Sequence, residues 1–339
     1  MSKIKTILTV AIMMVSVLAF SKDKPLKAYV IGFYNLENLF DTIDDPNKND
    51  EQFLPGGSYA WGSMKYTSKQ ERMASVIAKM PKSLAVLGVG EVENIGVLED
   101  LVRQPSIAER NLRPILVEGP DRRGVDVGLL YDADLFTPTN VTSTRIISSI
   151  ENFYTRDQLC VSGILDGELI HVIVLHWPSR GGGQRRSAPR RADAALTTKH
   201  ICDSLFAIDP DAKIVVMGDL NDDPVDESVV RYLGAKKSVK ETGRSQLFNP
   251  SYDFYRRGIG TLAYQDQWNL FDQIIVSEKW LSSKRTTLTF WKYEIFNRDF
   301  LCQQEGKYKG YPLRTHSGGV WTNGYSDHFP AMIWVVKYK

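Results

Sequence analysis

The sequence predicts an α+β domain of two stacked, mainly antiparallel sheets with helices on their outer faces. Three observations support this. Apolar runs of strand length recur along most of the chain, many of them joined by short hairpin-type turns. Helical periodicities arrive singly, without the regular alternation of a parallel βαβ sheet. No Pro-, Gly- or Ser-rich linker divides residues 27 to 338.

The elements follow in order. Residues 27–34 (Lys-Ala-Tyr-Val-Ile-Gly-Phe-Tyr) read as a buried strand, and residues 42–66 as a long polar loop containing Gly and Trp. A helix is expected over 68–80: Ser68 caps it, Glu71 stands three residues on, Met73, Val76, Ile77 and Met80 form one face, and Pro81 ends it. Residues 84–89 are a second buried strand, followed by a short helix near 96–103. Strands are then expected at 114–118, 125–131, 143–149, 158–165 and 168–175. Asp166-Gly167 is a hairpin signal between the last two. A helix at about 187–207, a buried strand at 214–217 and a helix near 226–233 come next. Residues 249–270 read as an aromatic, polar loop. The last strands are 271–277, 286–294 and 329–337. The aromatic run Phe290 to Phe296 reads as a core strand, with a lipid-facing hairpin as the alternative.

Residues 1–21 stand apart. Lys3 and Lys5 precede an apolar run from Ile7 to Phe20, and Ala19-Phe20-Ser21 offers small residues before a cut after Ser21. This is the pattern of a secretory signal peptide; an uncleaved anchor would need a longer run. The expectation is a signal peptide over 1–21, one domain over 22–339, a secreted or periplasmic location and no transmembrane segment after cleavage. Removing Lys3 and Lys5 takes Lys+Arg from 42 to 40 against 40 Asp+Glu, so the mature chain is neutral. That excludes a protein that coats nucleic acid through bulk charge, and any polyanion contact must be local. Cys160, Cys202 and Cys302 have no metal-type spacing and allow one disulfide at most.

The chemistry sits at strand ends. Polar clusters follow or precede buried strands at Tyr34-Asn35-Leu36-Glu37-Asn38, Gly90-Glu91-Val92-Glu93-Asn94, His176-Trp177-Pro178-Ser179-Arg180, Gly218-Asp219-Leu220-Asn221-Asp222 and Ser326-Asp327-His328-Phe329. Groups delivered by separate strands point to one shared site. Asp219 and Asn221 share a side of an extended chain, as a water- and phosphate-orienting pair would; a turn or helix cap explains the same residues. Glu91 at the mouth of a buried strand is costly unless paired or metal-bound, and a lone carboxylate suits Mg²⁺; a helix-start role is the alternative, and Glu93 is a competing ligand. His176 closes a strand, where a structural role is also common. Neighbouring Asp327 and His328 point apart in an extended chain, so each needs another partner, and Asp272 is the candidate for His328. Arg180, Arg185, Arg186, Arg190 and Arg191 form a dense cationic patch beside three glycines, suited to phosphate or to a solvated helix start. His171, His200 and His316 have no such context.

The set Asn35, Glu91, His176, Asp219, Asn221, Asp272, Asp327 and His328 resembles the endonuclease/exonuclease/phosphatase superfamily over about residues 28–338. Phe33–Phe40, Arg123–Tyr131 and His176–Arg180 look like its secreted bacterial branch. The superfamily includes pancreatic-type deoxyribonucleases, abasic-site endonucleases, neutral sphingomyelinases and inositol polyphosphate phosphatases. The resemblance implies a four-layer α/β/β/α sandwich and a Mg²⁺- or Mn²⁺-dependent phosphoesterase. It implies that Glu91, Asn35 and Asp327 hold the metal, and that His176, Asp219, Asn221, Asp272 and His328 are catalytic. In that scheme Asn221 and His176 hold the phosphate, Asp272 orients His328, and either Asp219 or His328 is the base. Arg180, Arg185 and Arg186 are the expected substrate contacts. One departure stands out: the mid-sheet segment reads Arg122-Arg123-Gly124-Val125-Asp126, with an acid in reach of the site. The resulting expectation is an endonuclease on DNA or RNA with no obligate protein partner. The alternatives are a phosphatase or lipid phosphodiesterase of sphingomyelinase or inositol-phosphatase type, and a scaffold that has lost catalysis.

Overall fold

Alternation within the central strands sets the architecture. In the computed structural model, which describes residues 25–339, the strands in chain order are β1 (Leu26–Leu39), β2 (Leu84–Val92), β3 (Leu112–Leu116), β4 (Asp126–Asp132), β5 (Phe136–Thr144), β6 (Gln158–Leu165), β7 (Glu168–His176), β8 (Ile214–Asp219), β9 (Leu247–Phe248), β10 (Leu262–Tyr264), β11 (Gln267–Asn269), β12 (Asp272–Ser277), β13 (Thr289–Ile295), β14 (His316–Ser317), β15 (Val320–Trp321) and β16 (Ala331–Tyr338). The helices are α1 (Ser63–Lys79), α2 (Ile95–Val102), α3 (Gln184–Ile208) and α4 (Tyr252–Arg256). The expected signal peptide lies outside the described residues. No described helix is long and apolar enough to cross a membrane.

Two six-stranded sheets run in the orders β13-β16-β1-β2-β4-β3 and β5-β6-β7-β8-β12-β9. Pairing is antiparallel except for β1 with β2 and β7 with β8. In β7 and β8, Val172, Val174, Val215 and Met217 enter the core between the sheets. The intervening Ile173, Leu175, Ile214 and Val216 face a second core with Ala194, Ala195, Cys202 and Phe206 of α3. This period of two is why one strand serves two apolar layers. On the other sheet α1 buries Met73, Ala74, Val76 and Ile77. The helix–sheet–sheet–helix layering is thus the expected one. The sheets pack closely at Gly88, where a Cβ would lie 2.7 Å from Met217 Cε and 3.0 Å from Val174 Cγ1.

Some local expectations are corrected. The strand expected at 143–149 runs instead over Phe136–Thr144. It is an edge strand with a largely exposed face, so its pattern was polar, while the apolar Ile146 and Ile147 follow it. Ile146 tucks under α3 and Ile147 is exposed. Helix α1 starts at Ser63, not Ser68, whose hydroxyl bonds Asn323. The helix near 226–233 is a single π-type turn, Ser228–Leu233. The 249–270 loop carries α4 and the β10–β11 hairpin. The loop over 42–66 is anchored by a Phe40–Phe53 ring stack and by Trp61 Nε1 donating to the Phe40 carbonyl. The segment from Phe290 is β13, paired with β16.

Candidate active site

Register brings the polar strand ends to one edge of both sheets. In the parallel β7–β8 pair His176 lies opposite Asp219, and antiparallel β12 sets Asp272 opposite Asp219 from the other side. In the parallel β1–β2 pair Asn35 lies opposite Gly90, one residue before Glu91. The Ser326-Asp327-His328 turn leads into β16, which pairs with β1. Ser326 Oγ donates to the Asn35 carbonyl at 2.7 Å and accepts from the His328 backbone N–H at 3.1 Å. Glu37, Asn38, Glu91 and Asn221 adopt left-handed backbone with φ of 51°, 57°, 60° and 51°. That conformation is costly for residues other than glycine, so the surrounding structure must hold these four in place.

The side chains converge on Asp219. The Asn35 amide donates at 3.2 Å to both Glu91 Oε1 and Asp219 Oδ2. His176 Nε2 lies 3.5 Å from Asp219 Oδ2 and 4.0 Å from Glu91 Oε1. His328 Nε2 is 3.9 Å from Asp219 Oδ2, and its Nδ1 is 2.7 Å from Asp272 Oδ2. The Asn221 backbone N–H donates to Asp219 Oδ1, and its amide donates to the Trp177 carbonyl, both at 2.9 Å. Asp327 reaches His328 Nε2 at 3.9 Å through Oδ1 and is held by Arg314 through Oδ2. The eight residues of the expected catalytic and metal sets are therefore neighbours.

The chain matches the model of the "Endonuclease/Exonuclease/phosphatase family" over residues 30–337. It belongs to that family. Its fold is shared with a Bacteroides thetaiotaomicron family protein (14% identity, TM-score 0.55, covering 93% of this chain and 99% of that one). It is also similar to a mannosyl-6-phosphatase of the same organism (15% identity, TM-score 0.53, 91% and 99% covered) and to D. rerio TDP2 complexed with a single-strand DNA product (12% identity, TM-score 0.53, 91% and 98% covered). No curated protein matches the chain in sequence at a significant level.

Family members are metal-dependent phosphoester hydrolases, and the donors present fit a hard cation. Glu91 and Asp219 point carboxylate oxygens at one Asn35 amide, and neither makes an ion pair with a Lys or Arg among the described residues. Two acids so placed call for an oxygen-seeking cation such as Mg²⁺ or Mn²⁺. Asp219, Asp272 and His328 also lie close enough to share an ion. His328 Nδ1 is held by Asp272, which leaves Nε2 as the free ring nitrogen.

Electrostatics separate the two histidines. Burial opposes charge on His328, but Asp272, with Asp327 and Asp219, outweighs it and holds the imidazole well above its ordinary pKa. His176 is driven well below its ordinary value by burial and then by Arg156 and Arg123. Its Nδ1 is buried without a partner, and its Nε2 faces the acids. Burial, eased by His328, raises Asp219 to about 7.

The arginine patch divides. Arg180 is occupied: its Nε donates to the Asn221 carbonyl, Nη2 pairs with Asp223 at 3.2 Å and Asp226 at 2.8 Å, and the group stacks over Phe271. It braces the Asp219–Asn221 loop. Arg191 is buried against Asp222. Arg185 and Arg186 are exposed at the start of α3. Asp126 accepts from the Gly119 backbone N–H.

Two further buried charged residues lie close by, Glu37 and Lys69. Glu37, buried and raised to about 7 by burial and then by Asp327, accepts from the Thr315 N–H. It sits two residues after Asn35, a spacing that carried the signal. Lys69, also buried, donates to the Tyr325 carbonyl at 2.7 Å. Its place on the Met73–Ile77 face of α1 was the available clue.

Proposed function

We propose that the protein is a secreted, Mg²⁺- or Mn²⁺-dependent phosphodiesterase that hydrolyses nucleic acid by in-line attack of water. The observation that carries the reading is the setting of Asp219, between His176 at 3.5 Å and an Asp272-supported His328 at 3.9 Å. Asp219, with its raised pKa, orients the attacking water and takes its proton. His328, kept protonated by Asp272, meets the charge that develops on phosphoryl oxygen. His176 Nε2 and Asn221, braced by Trp177 and Arg180, position the phosphate. Glu91, with Asn35 and Asp327, would hold the divalent cation, whose chemistry there is neutralising charge on the phosphoryl oxygens.

A second reading, a phosphatase on a small phosphoester, has its own support. A cavity of about 240 Å³ beside Asp327 is lined by Glu37, Tyr59, Trp61, Arg314 and His316, room for a single ring, and one similar structure is that of a mannosyl-6-phosphatase. The test is hydrolysis of plasmid DNA, RNA, a generic phosphodiester and a generic phosphomonoester by the mature protein. Cleavage of nucleic acid and diester supports the first reading, and turnover of the monoester alone selects the second. Export is tested separately, by whether the N-terminus of protein recovered outside the cytoplasm is Lys22.

A further inference from the structure

We propose that an arginine-walled cavity on the His176 side of the site binds a second phosphate of the substrate, one that is not cleaved. The inference rests on the phosphoesterase reading above. The cavity, about 280 Å³, is lined by Arg122, Arg123, Arg156 and Arg190 with Asp121 as its only carboxylate. Asp121 is already shared. Arg123 holds it through Nε and Nη2 at 3.1 and 3.0 Å, and Arg156 Nη1 lies at 3.3 Å. Arg122 and Arg190 make no ion pair among the described residues. Each is spread over an aromatic face instead, Arg122 over Tyr154 at 5.0 Å and Arg190 over Phe153 at 4.4 Å.

The cavity also holds donors with nothing to bind. Arg156 is 4% exposed, yet its Nε has no hydrogen-bond partner, and the same holds for buried Arg190 Nε and Thr155 Oγ1. Buried donors left unmade are costly, and cations held together without matching anions repel. A phosphate answers both: it is anionic, offers several acceptor oxygens and matches the planar guanidinium fork.

Its position relates it to the reaction centre. Arg156 Nη2 and the Asn221 amide donate to the same Trp177 carbonyl, at 2.8 and 2.9 Å. The cavity wall continues through Pro178 and Ser179, two and three residues after His176. One backbone carbonyl thus separates the cavity from a residue assigned to the scissile phosphate. That spacing suits neighbouring phosphates of one substrate.

The experiment compares two p-nitrophenyl phosphodiesters that differ by one added, uncleaved phosphate monoester, in wild type, Arg122→Gln and Arg190→Gln. Wild type should prefer the doubly phosphorylated ester in kcat/KM by about tenfold or more, and both variants should lose most of that preference. Equal kcat/KM for the two esters in wild type would overturn the subsite. Titration of inorganic phosphate into chelator-treated protein separates the two claims. Binding weakened by Arg190→Gln, with neither ester hydrolysed under any metal, keeps the subsite and rejects the phosphoesterase. Competition by a short oligonucleotide but not by a small bisphosphate assigns the second phosphate to a nucleic-acid strand, and the reverse assigns it to a small molecule.

Discussion

His328 Nδ1 and Asp272 Oδ2 stand 2.7 Å apart in a buried pair, and the far side of the same imidazole faces Asp219 at 3.9 Å. One carboxylate fixes the ring and its charge, while the other waits across it. Asp272 is itself fixed: its backbone N–H reaches Thr261 Oγ1 and its carbonyl accepts from the Tyr293 hydroxyl.

Asp272→Asn keeps the size of the side chain and removes the charge that supports His328. We expect kcat to fall roughly 10²-fold or more with KM little changed, because the lost term acts on transition-state charge. Steady-state kinetics on a generic diester checks this. A fall confined to KM would place Asp272 in binding instead.

Glu91→Gln should weaken the divalent cation by at least roughly tenfold, since the amide lacks the charge a hard cation seeks. Calorimetric titration of Mn²⁺ into wild type and variant reads this directly. Unchanged Mn²⁺ affinity would remove Glu91 from the metal set and turn attention to Glu93, which accepts from the Asp41 backbone N–H.

Gly218→Ala tests how tightly the site is built into the sheet. A Cβ there would lie 1.9 Å from the Leu175 carbonyl oxygen in the adjoining strand. Backbone must move, so we expect a loss of about 2–5 kcal/mol in urea unfolding, together with displacement of Asp219 and lost activity.

Glu168, far from the reaction centre, sets part of the acid stability. Burial opposes its charge, but hydrogen bonds from Lys213, Thr287 and Lys337 overcome this and hold its pKa at about 2, against 4.5 for the free side chain. Lys213, by contrast, is itself lowered by burial, so the pair reads out on the acid side. A depressed carboxylate stabilises fully above its unfolded pKa and loses that contribution as pH falls through its folded pKa. The Tm gap between wild type and Glu168→Gln should therefore be constant near neutrality and shrink as pH falls from about 4.5 toward 2. A gap that widens in acid would contradict this.

Much of this was legible in the sequence because the site hangs on strand ends. Buried apolar runs marked β2, β7, β8 and β12, and the polar residue after or before each run fell into the site. The Asp272–His328 pair followed from the rule that adjacent Asp327 and His328 point apart. What stayed hidden depends on tertiary packing. Edge strand β5 has an exposed, polar face, so its apolar neighbours drew the expected strand too far along the chain. Arg180 and Arg191 looked like free cations until the Asp222–Asp226 turn folded against them. Arg122 and Arg156 are 34 positions apart, and nothing local announces that they share a cavity.

The most direct measurement is metal-dependent turnover of a generic phosphodiester by the mature protein, with Mg²⁺, with Mn²⁺ and with chelator, beside Asp219→Ala and His328→Ala. We expect chelator-sensitive hydrolysis in wild type, lost by roughly 10³-fold or more in both variants while their fold is retained. Hydrolysis that survives chelation, or that persists in Asp219→Ala, would contradict it.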